Sequence, residues 1–151
     1  MKFDFPIYTE VEENLENVTA LYIRYSSIEK SKDTNAIQVQ YDALRQYCSK
    51  NNVQNPVVFI DDNFMGADGK RPAYKTMMEY LKNSKIKEVN IYSVDRIAGV
   101  PTGIINFFKD CEEFKFQFYI IKEQFDSRDR EIFNTILSAL ITFQNLSKID
   151  D

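Results

Sequence analysis

The sequence predicts an α/β fold: a mainly parallel sheet of about four to five strands flanked by helices, with a long C-terminal helix. Three observations carry this. Apolar runs of strand length alternate with stripes of helical period along most of the chain, the pattern of a parallel sheet covered by helices. Val57-Val58-Phe59-Ile60 is continuously apolar, as in strands covered on both faces. Charged and hydroxyl residues collect just after the strands, at the edge where open α/β sheets bind ligands.

The 151 residues fit one domain, long enough to bury roughly 70% of the surface its unfolded chain exposes. With 44% hydrophobic and 28% charged residues the composition is that of a globular protein. The net charge of -4 weighs against a self-sufficient DNA binder, though not against a catalytic domain delivered to DNA by another module. Histidine is absent, which removes the common zinc ligand sets and all imidazole acid–base catalysis. Cys48 and Cys111 lack metal-ligand spacing and fall inside apolar helical patterns, as buried free thiols do. No apolar run approaches the ~18 residues of a membrane span and the N-terminus lacks a signal-peptide pattern, so a cytoplasmic protein is expected.

Residues 1–18 form an acidic N-terminal extension in which Phe3, Phe5, Ile7 and Tyr8 suit either a short edge strand or a loose arm. The first strand is Ala20-Leu21-Tyr22-Ile23, delivering Arg24 and Ser26 on one face at its carboxyl end. After a polar loop, Ile37, Tyr41, Leu44 and Cys48 make the apolar stripe of a helix over about 35–50; Gln38 and Arg45 lie off it. Pro56 opens the second strand, which ends in Asp61-Asp62. Gly66 and Gly69 mark a loop, and Arg71-Pro72 starts a helix whose inner face is Tyr74, Met77, Met78 and Leu81. Ile86, Val89, Ile91 and Tyr92 form the third strand, followed by Ser93-Val94-Asp95-Arg96. A helix carrying Ile104, Ile105, Phe108 and Cys111 leads to a fourth strand with Phe116, Phe118, Ile120 and Ile121. The last helix runs from about Asp129 to beyond Leu146, and its apolar face is wide enough to suggest that part of it packs on another subunit.

Right-handed crossovers put all strand carboxyl ends on one edge. Arg24, Ser26, Asp61, Asp95 and Arg96 converge there, with Arg71 entering from a helix start. Arginine forks match phosphate oxygens, several of them stabilise an anionic transition state, and a neighbouring serine can act as nucleophile. Loop charges that only pair with one another would look the same. So would an Mg²⁺-dependent acidic pocket built from Asp61, Asp62 and Asp95, though that leaves Arg24 and Ser26 unexplained. No glycine-rich loop follows the first strand, which argues against nucleotide binding.

The residues resemble the catalytic domain of serine recombinases, the resolvase/invertase family, most closely the large serine recombinases. Tyr22, Arg24 and Ser26 match its Tyr-x-Arg-x-Ser strand, and Gln38 its glutamine-bearing helix. Asp61, Asp62, Phe64 and Gly66 with Arg71-Pro72 match its acidic loop, where Asn63 and Met65 replace a Gly and a Ser; Asp95-Arg96 match its Asp-Arg strand end, and Glu123, Phe125, Asp126 and Ser127 the segment before its long helix. The resemblance covers about residues 19–149. It implies a site-specific recombinase that cleaves and rejoins DNA through a 5′-phosphoserine link, without metal or other cofactor, in dimers and tetramers. Ser26 is then the nucleophile; Arg24, Arg71 and Arg96 hold the phosphate; Asp95 orients arginines or handles the leaving-group proton; Tyr22, Gln38 and Asp61 support. The implied division is a catalytic domain over 19–127 and the start of an oligomerisation helix over 128–151, with DNA-binding domains expected beyond it. Gly99 stands where the family has a further arginine, and Gln144-Asn145 where it has Glu-Arg. Lys30 and Arg128 are candidates to supply the missing charge. These departures open a second reading, a catalytically impaired relative that acts in assembly or regulation.

Overall fold

The computed structural model describes residues 3–11, 15–26, 36–63 and 70–149. Strands β1 (Thr19–Ser26), β2 (Pro56–Asn63), β3 (Glu88–Ile91), β4 (Gln117–Ile120) and β5 (Phe125–Asp126) form one sheet in the order β2-β1-β3-β4-β5. β1 pairs in parallel with β2 and β3, and β3 with β4; β5 turns back antiparallel to β4. The expected mainly parallel α/β fold is the one observed.

Helix α1 (Ala36–Lys50) covers one face of the sheet, where Tyr41, Leu44 and Cys48 meet Leu21, Ile23 and Val58. Helices α2 (Pro72–Lys82), α3 (Pro101–Phe114) and α4 (Arg130–Ile149) share the other. Period two in β1 explains the split: Ala20 and Tyr22 face the larger cluster, Leu21 and Ile23 the smaller. The larger cluster contains an aromatic stack. Phe108 lies parallel to Phe133 with ring centroids 5.5 Å apart, and Phe118 meets Phe107 edge-on at 4.8 Å.

β3 is shorter than the apolar pattern suggests. The Ile86 amide donates to the Tyr80 carbonyl at the exit of α2 and is spent before the sheet begins. Helix α4 starts as its sequence predicts, with Asp129 Oδ1 accepting from the Ile132 amide. Its Phe133 is buried and its Ile136, Leu137 and Leu140 lie against the core, whereas Phe143 and Leu146 are each 55% exposed.

The N-terminal segment is neither a full strand nor a loose arm. It wraps the β2 edge through one bridge, Ile7 to Val58, with the Val58 amide donating to the Pro6 carbonyl at 2.9 Å. Phe3 and Phe5 sit against the Tyr41 ring on the α1 side, and Tyr8 stacks on Phe59 on the other. An exposed sheet edge is thereby partly covered. The Asp4–Arg45 ion pair at 2.8 Å is exposed on both sides and screened by solvent; the rings hold the segment.

Both cysteines are free and buried. Burial pushes the Cys48 thiol from 9.0 up to about 11 and the Cys111 thiol up to about 12. Burial, followed by a hydrogen bond to Asp62, raises Tyr25 from 10.0 to about 12. The folded chain keeps these protons to higher pH than the unfolded chain does. The contribution of these three groups to stability is therefore complete below pH 9 and is lost as pH climbs through 12. Urea unfolding midpoints are expected to drop steeply across that interval. Tyr25→Phe makes the drop shallower above pH 10, the ordinary tyrosine value.

Candidate active site at the sheet crevice

The strand order reverses at β1. The chain leaves β1 for α1 on one face and leaves β3 for α3 on the other, so a crevice opens between the two carboxyl ends, as at the switch point of open α/β sheets. β1–β3 pairing stops at Tyr22–Ile91. Beyond it the backbone of Arg24 has no strand on its β3 side, and backbone polar groups without a strand need other partners. Two side chains supply them. Gln40, only 1% exposed, donates from Nε2 to the Arg24 carbonyl at 2.9 Å and accepts the Arg24 amide on Oε1 at 3.4 Å. Arg96 Nη1 donates to the same carbonyl at 3.0 Å.

The clasp is reciprocal. Arg24 Nη2 donates to the Asp95 carbonyl at 2.6 Å and Nε to the Arg96 carbonyl at 3.4 Å. Arg71 Nη1 donates to the next carbonyl, Ile97, at 2.5 Å, and its guanidinium lies 3.7 Å from the centre of the Tyr74 ring. Two arginines therefore grip three consecutive carbonyls at the end of the 3-10 turn Val94–Arg96, where carbonyls lack partners within the turn, and the turn's own Arg96 reaches back to β1. Glu123 steadies the turn from the β4–β5 connection by accepting the Val94 amide on Oε1 at 3.1 Å.

Asp61 anchors the far wall. It is 3% exposed at the end of β2, yet it caps α2 across the fold. Its Oδ1 accepts the Ala73 amide and its Oδ2 the Tyr74 amide, each at 2.9 Å, and Oδ2 also accepts the Tyr22 hydroxyl at 2.6 Å. Burial, then the charge of Asp61 and their hydrogen bond, drive the Tyr22 phenol far above its ordinary value. Arg71, at the N-cap of α2, contributes no side-chain cap of its own, so Asp61 caps the helix from a distance.

Of the residues expected from sequence, Tyr22, Arg24, Asp61, Arg71, Asp95 and Arg96 meet here. The Asp95 carboxylate accepts a hydrogen bond from Ser93 and stands 3.8 Å from Arg96 Nε; the arginines are oriented by backbone carbonyls. Ser26 closes β1 opposite Asn63; its side chain lies outside the described residues, as does Lys30. Gln38 is exposed and bonds Asp42 within α1. Gln40, two residues on, is the glutamine that reaches the site. Its sequence signal was a polar residue on the apolar stripe, three after Ile37 and four before Leu44. Ser93, Tyr74 and Glu123 gave no local signal for the contacts they make. Arg128 is bonded to Asp126 at 3.0 Å and lies 3.6 Å from Glu88. Among the described residues no group of three or more acidic or thiol side chains is gathered to hold a metal ion, and no helix is long and apolar enough to cross a membrane.

The family model described as the resolvase N-terminal domain matches residues 19–149. The chain belongs to that family. The N-terminal catalytic domain of TP901-1 integrase shares 26% identity over 85% of this chain and 97% of its own, with a TM-score of 0.69. A resolvase-family site-specific recombinase from Streptococcus pneumoniae shares the fold at 15% identity and a TM-score of 0.65, covering 87% of this chain and 90% of that one. The C-terminal catalytic domain of ISC1926 TnpA, an IS607-like serine recombinase, does so at 16% and 0.56, covering 83% of each. No curated protein matches the chain. By family and fold this is a serine recombinase catalytic domain of the resolvase type.

Asp61→Ala in this resolvase-type domain strands a buried amide, a half-buried amide and a buried phenol and is expected to cost about 3 kcal/mol or more. Tyr22→Phe removes one hydrogen bond to a charged group and costs about 2 kcal/mol. Urea denaturation of the two variants measures the difference; equal losses would show that Asp61 does not cap α2.

Proposed function

We propose that this chain carries out strand cleavage and rejoining in site-specific DNA recombination, with Ser26 as nucleophile. The serine hydroxyl gives up its proton as its oxygen attacks a backbone phosphorus, the bond from phosphorus to the 3′ oxygen breaks, and that oxygen takes up a proton and leaves as a free hydroxyl, so no net proton is gained or lost. The product is a 5′-phosphoserine ester. Rejoining is the same exchange in reverse, with a 3′ hydroxyl as attacker. One phosphodiester replaces another, so the step conserves the bond energy and calls for no nucleotide.

The observation that supports this reading is the arginine clasp. Arg24, Arg71 and Arg96 are oriented at one crevice by the carbonyls of residues 95–97 and the Arg24 carbonyl before any ligand arrives. Fixed donors aimed at developing negative charge stabilise a transition state without reorganising for it. Tyr22, Asp61 and Gln40 act through these arginines as positioning residues, and Asp95 is in reach to steer Arg96 or to relay the proton of the leaving hydroxyl. Both oxygens of Asp61 are engaged by Tyr22, Ala73 and Tyr74, which weighs against an acidic pocket of Asp61, Asp62 and Asp95.

Self-association through α4 belongs to the same proposal. Ile132, Phe143 and Leu146 leave apolar surface on that helix open, and a second copy would cover it, as dimers and tetramers require. A cytoplasmic setting, where the DNA is, fits the free thiols.

The test is to trap the covalent link on a suicide DNA substrate with the intact recombinase. A phosphoserine adduct is expected, unaffected by a chelator and absent in Ser26→Ala. Arg71→Gln and Arg96→Gln should each slow its formation about 10²- to 10³-fold. No adduct, or one that survives Ser26→Ala, overturns the proposal. Gly99 bears on the rate. A Cβ built there meets nothing within 4 Å, so a side chain can leave the backbone without a clash, and if a donor is missing at this position Gly99→Arg should speed cleavage by about 10²-fold or more. Unchanged cleavage would show that the natural chain already holds its phosphate fully.

A further inference from the structure

Beside the arginine clasp lies an open cleft of about 550 Å³ lined by Lys70, Arg71, Pro72, Tyr74 and Lys75. Its described lining carries three cations and no carboxylate. Lys75 lies one turn into α2 from the N-cap Arg71, whose carbonyl accepts the Lys75 amide at 2.9 Å, and both side chains line the cleft. Lys75 is exposed and makes no ion pair with a described residue. The helix terminus cannot itself take an anion here, because the Ala73 and Tyr74 amides are already donated to Asp61. Any pull on an anion must come from the side chains.

Further along, the groove between α2 and α3 changes character. Its walls add Glu79, Lys82 and Asp110, and Lys82 lies 3.6 Å from Asp110. The positive charge is thus confined to the end next to Arg71, which limits what the cleft can hold to a short anionic stretch.

We propose that Lys75 contacts a DNA phosphate neighbouring the one held by Arg71, and that this cleft seats the adjoining backbone. The inference rests on the reading of the chain as a DNA recombinase. A lysine suits this position because it is a point charge on a flexible stem, which tracks a phosphate without demanding the fork geometry needed at the reacting one. Lys75 is a binding residue and takes no part in the bond exchange.

The experiment measures binding of the intact recombinase to a short labelled duplex by fluorescence anisotropy across a range of salt. The slope of log affinity against log salt falls by about 0.9 for each phosphate that the protein no longer neutralises. Lys75→Gln is expected to lower the slope by about that amount, Lys75→Arg to restore it, and Lys82→Gln, whose charge is paired, to leave it unchanged. If Arg71→Gln lowers the slope and Lys75→Gln does not, this inference fails while the recombinase reading stands. If Lys82→Gln costs as much as Lys75→Gln, only overall charge matters and the inference also fails. If neither Arg71→Gln nor Lys75→Gln changes the slope, or the intact recombinase binds no duplex at low salt, both are overturned.

Discussion

One carboxylate holds the catalytic edge together. Asp61 sits at the end of β2 with almost no exposure, and it is stable there because three donors converge on it: the Tyr22 hydroxyl from β1 and the Ala73 and Tyr74 amides from α2. A charge buried without such partners would carry a large desolvation cost. With them it joins two strands and a helix at one point. The consequence for function is positional. Capping α2 from β2 fixes where that helix begins, and Arg71 is the residue at its start.

From that fixed start, geometry passes to the arginines through neutral dipoles. Each of the three guanidiniums donates to a backbone carbonyl, and among the described carboxylates Asp95 stands 3.8 Å from Arg96 Nε. Carbonyls can aim a cation without cancelling its charge. A close carboxylate would aim it as well, but would compete with the anion the cation is meant to receive. The 3-10 turn Val94–Arg96 is suited to this because its last carbonyls have no partner inside the turn. Its placement depends in turn on Glu123 and on the clasp with β1, so the site is braced from β1, β2, α1, α2 and the β4–β5 connection at once.

What was readable from sequence follows from the range of the interactions involved. The order of strands and helices was legible because burial imposes period two or period 3.6 locally, as in Ala20–Ile23 and in Ile37, Tyr41, Leu44 and Cys48. The convergence of Arg24, Asp61, Arg71, Asp95 and Arg96 was legible because parallel topology sends all strand ends to one edge. Their contacts were not. Nothing near Asp61 in the chain reveals that it caps a helix twelve residues on, or that Tyr22 would share it. Gln40 was passed over for Gln38, although a glutamine on an apolar stripe must find buried partners; it finds them on Arg24. The N-terminal segment, outside the family match at 19–149, mixes acidic and aromatic residues, and its aromatic side decides its course over the β2 edge.

Net charge misleads for a related reason. The chain is acidic overall at -4, yet its charges are not disposed alike at the two ends of the sheet. Arg128 and Arg130, near the amino ends of β3 and β4, lie within 2.5–3.6 Å of Glu88, Glu112 and Asp126. Those pairs are local matters of stability, small where exposed. At the carboxyl ends the arginines are bonded to carbonyls, and Lys75 has no acidic partner among the described residues. A charge summed over the chain averages these two arrangements. The field at the crevice, which is what an incoming phosphate meets, is set by the nearest groups and by the low-dielectric walls around them.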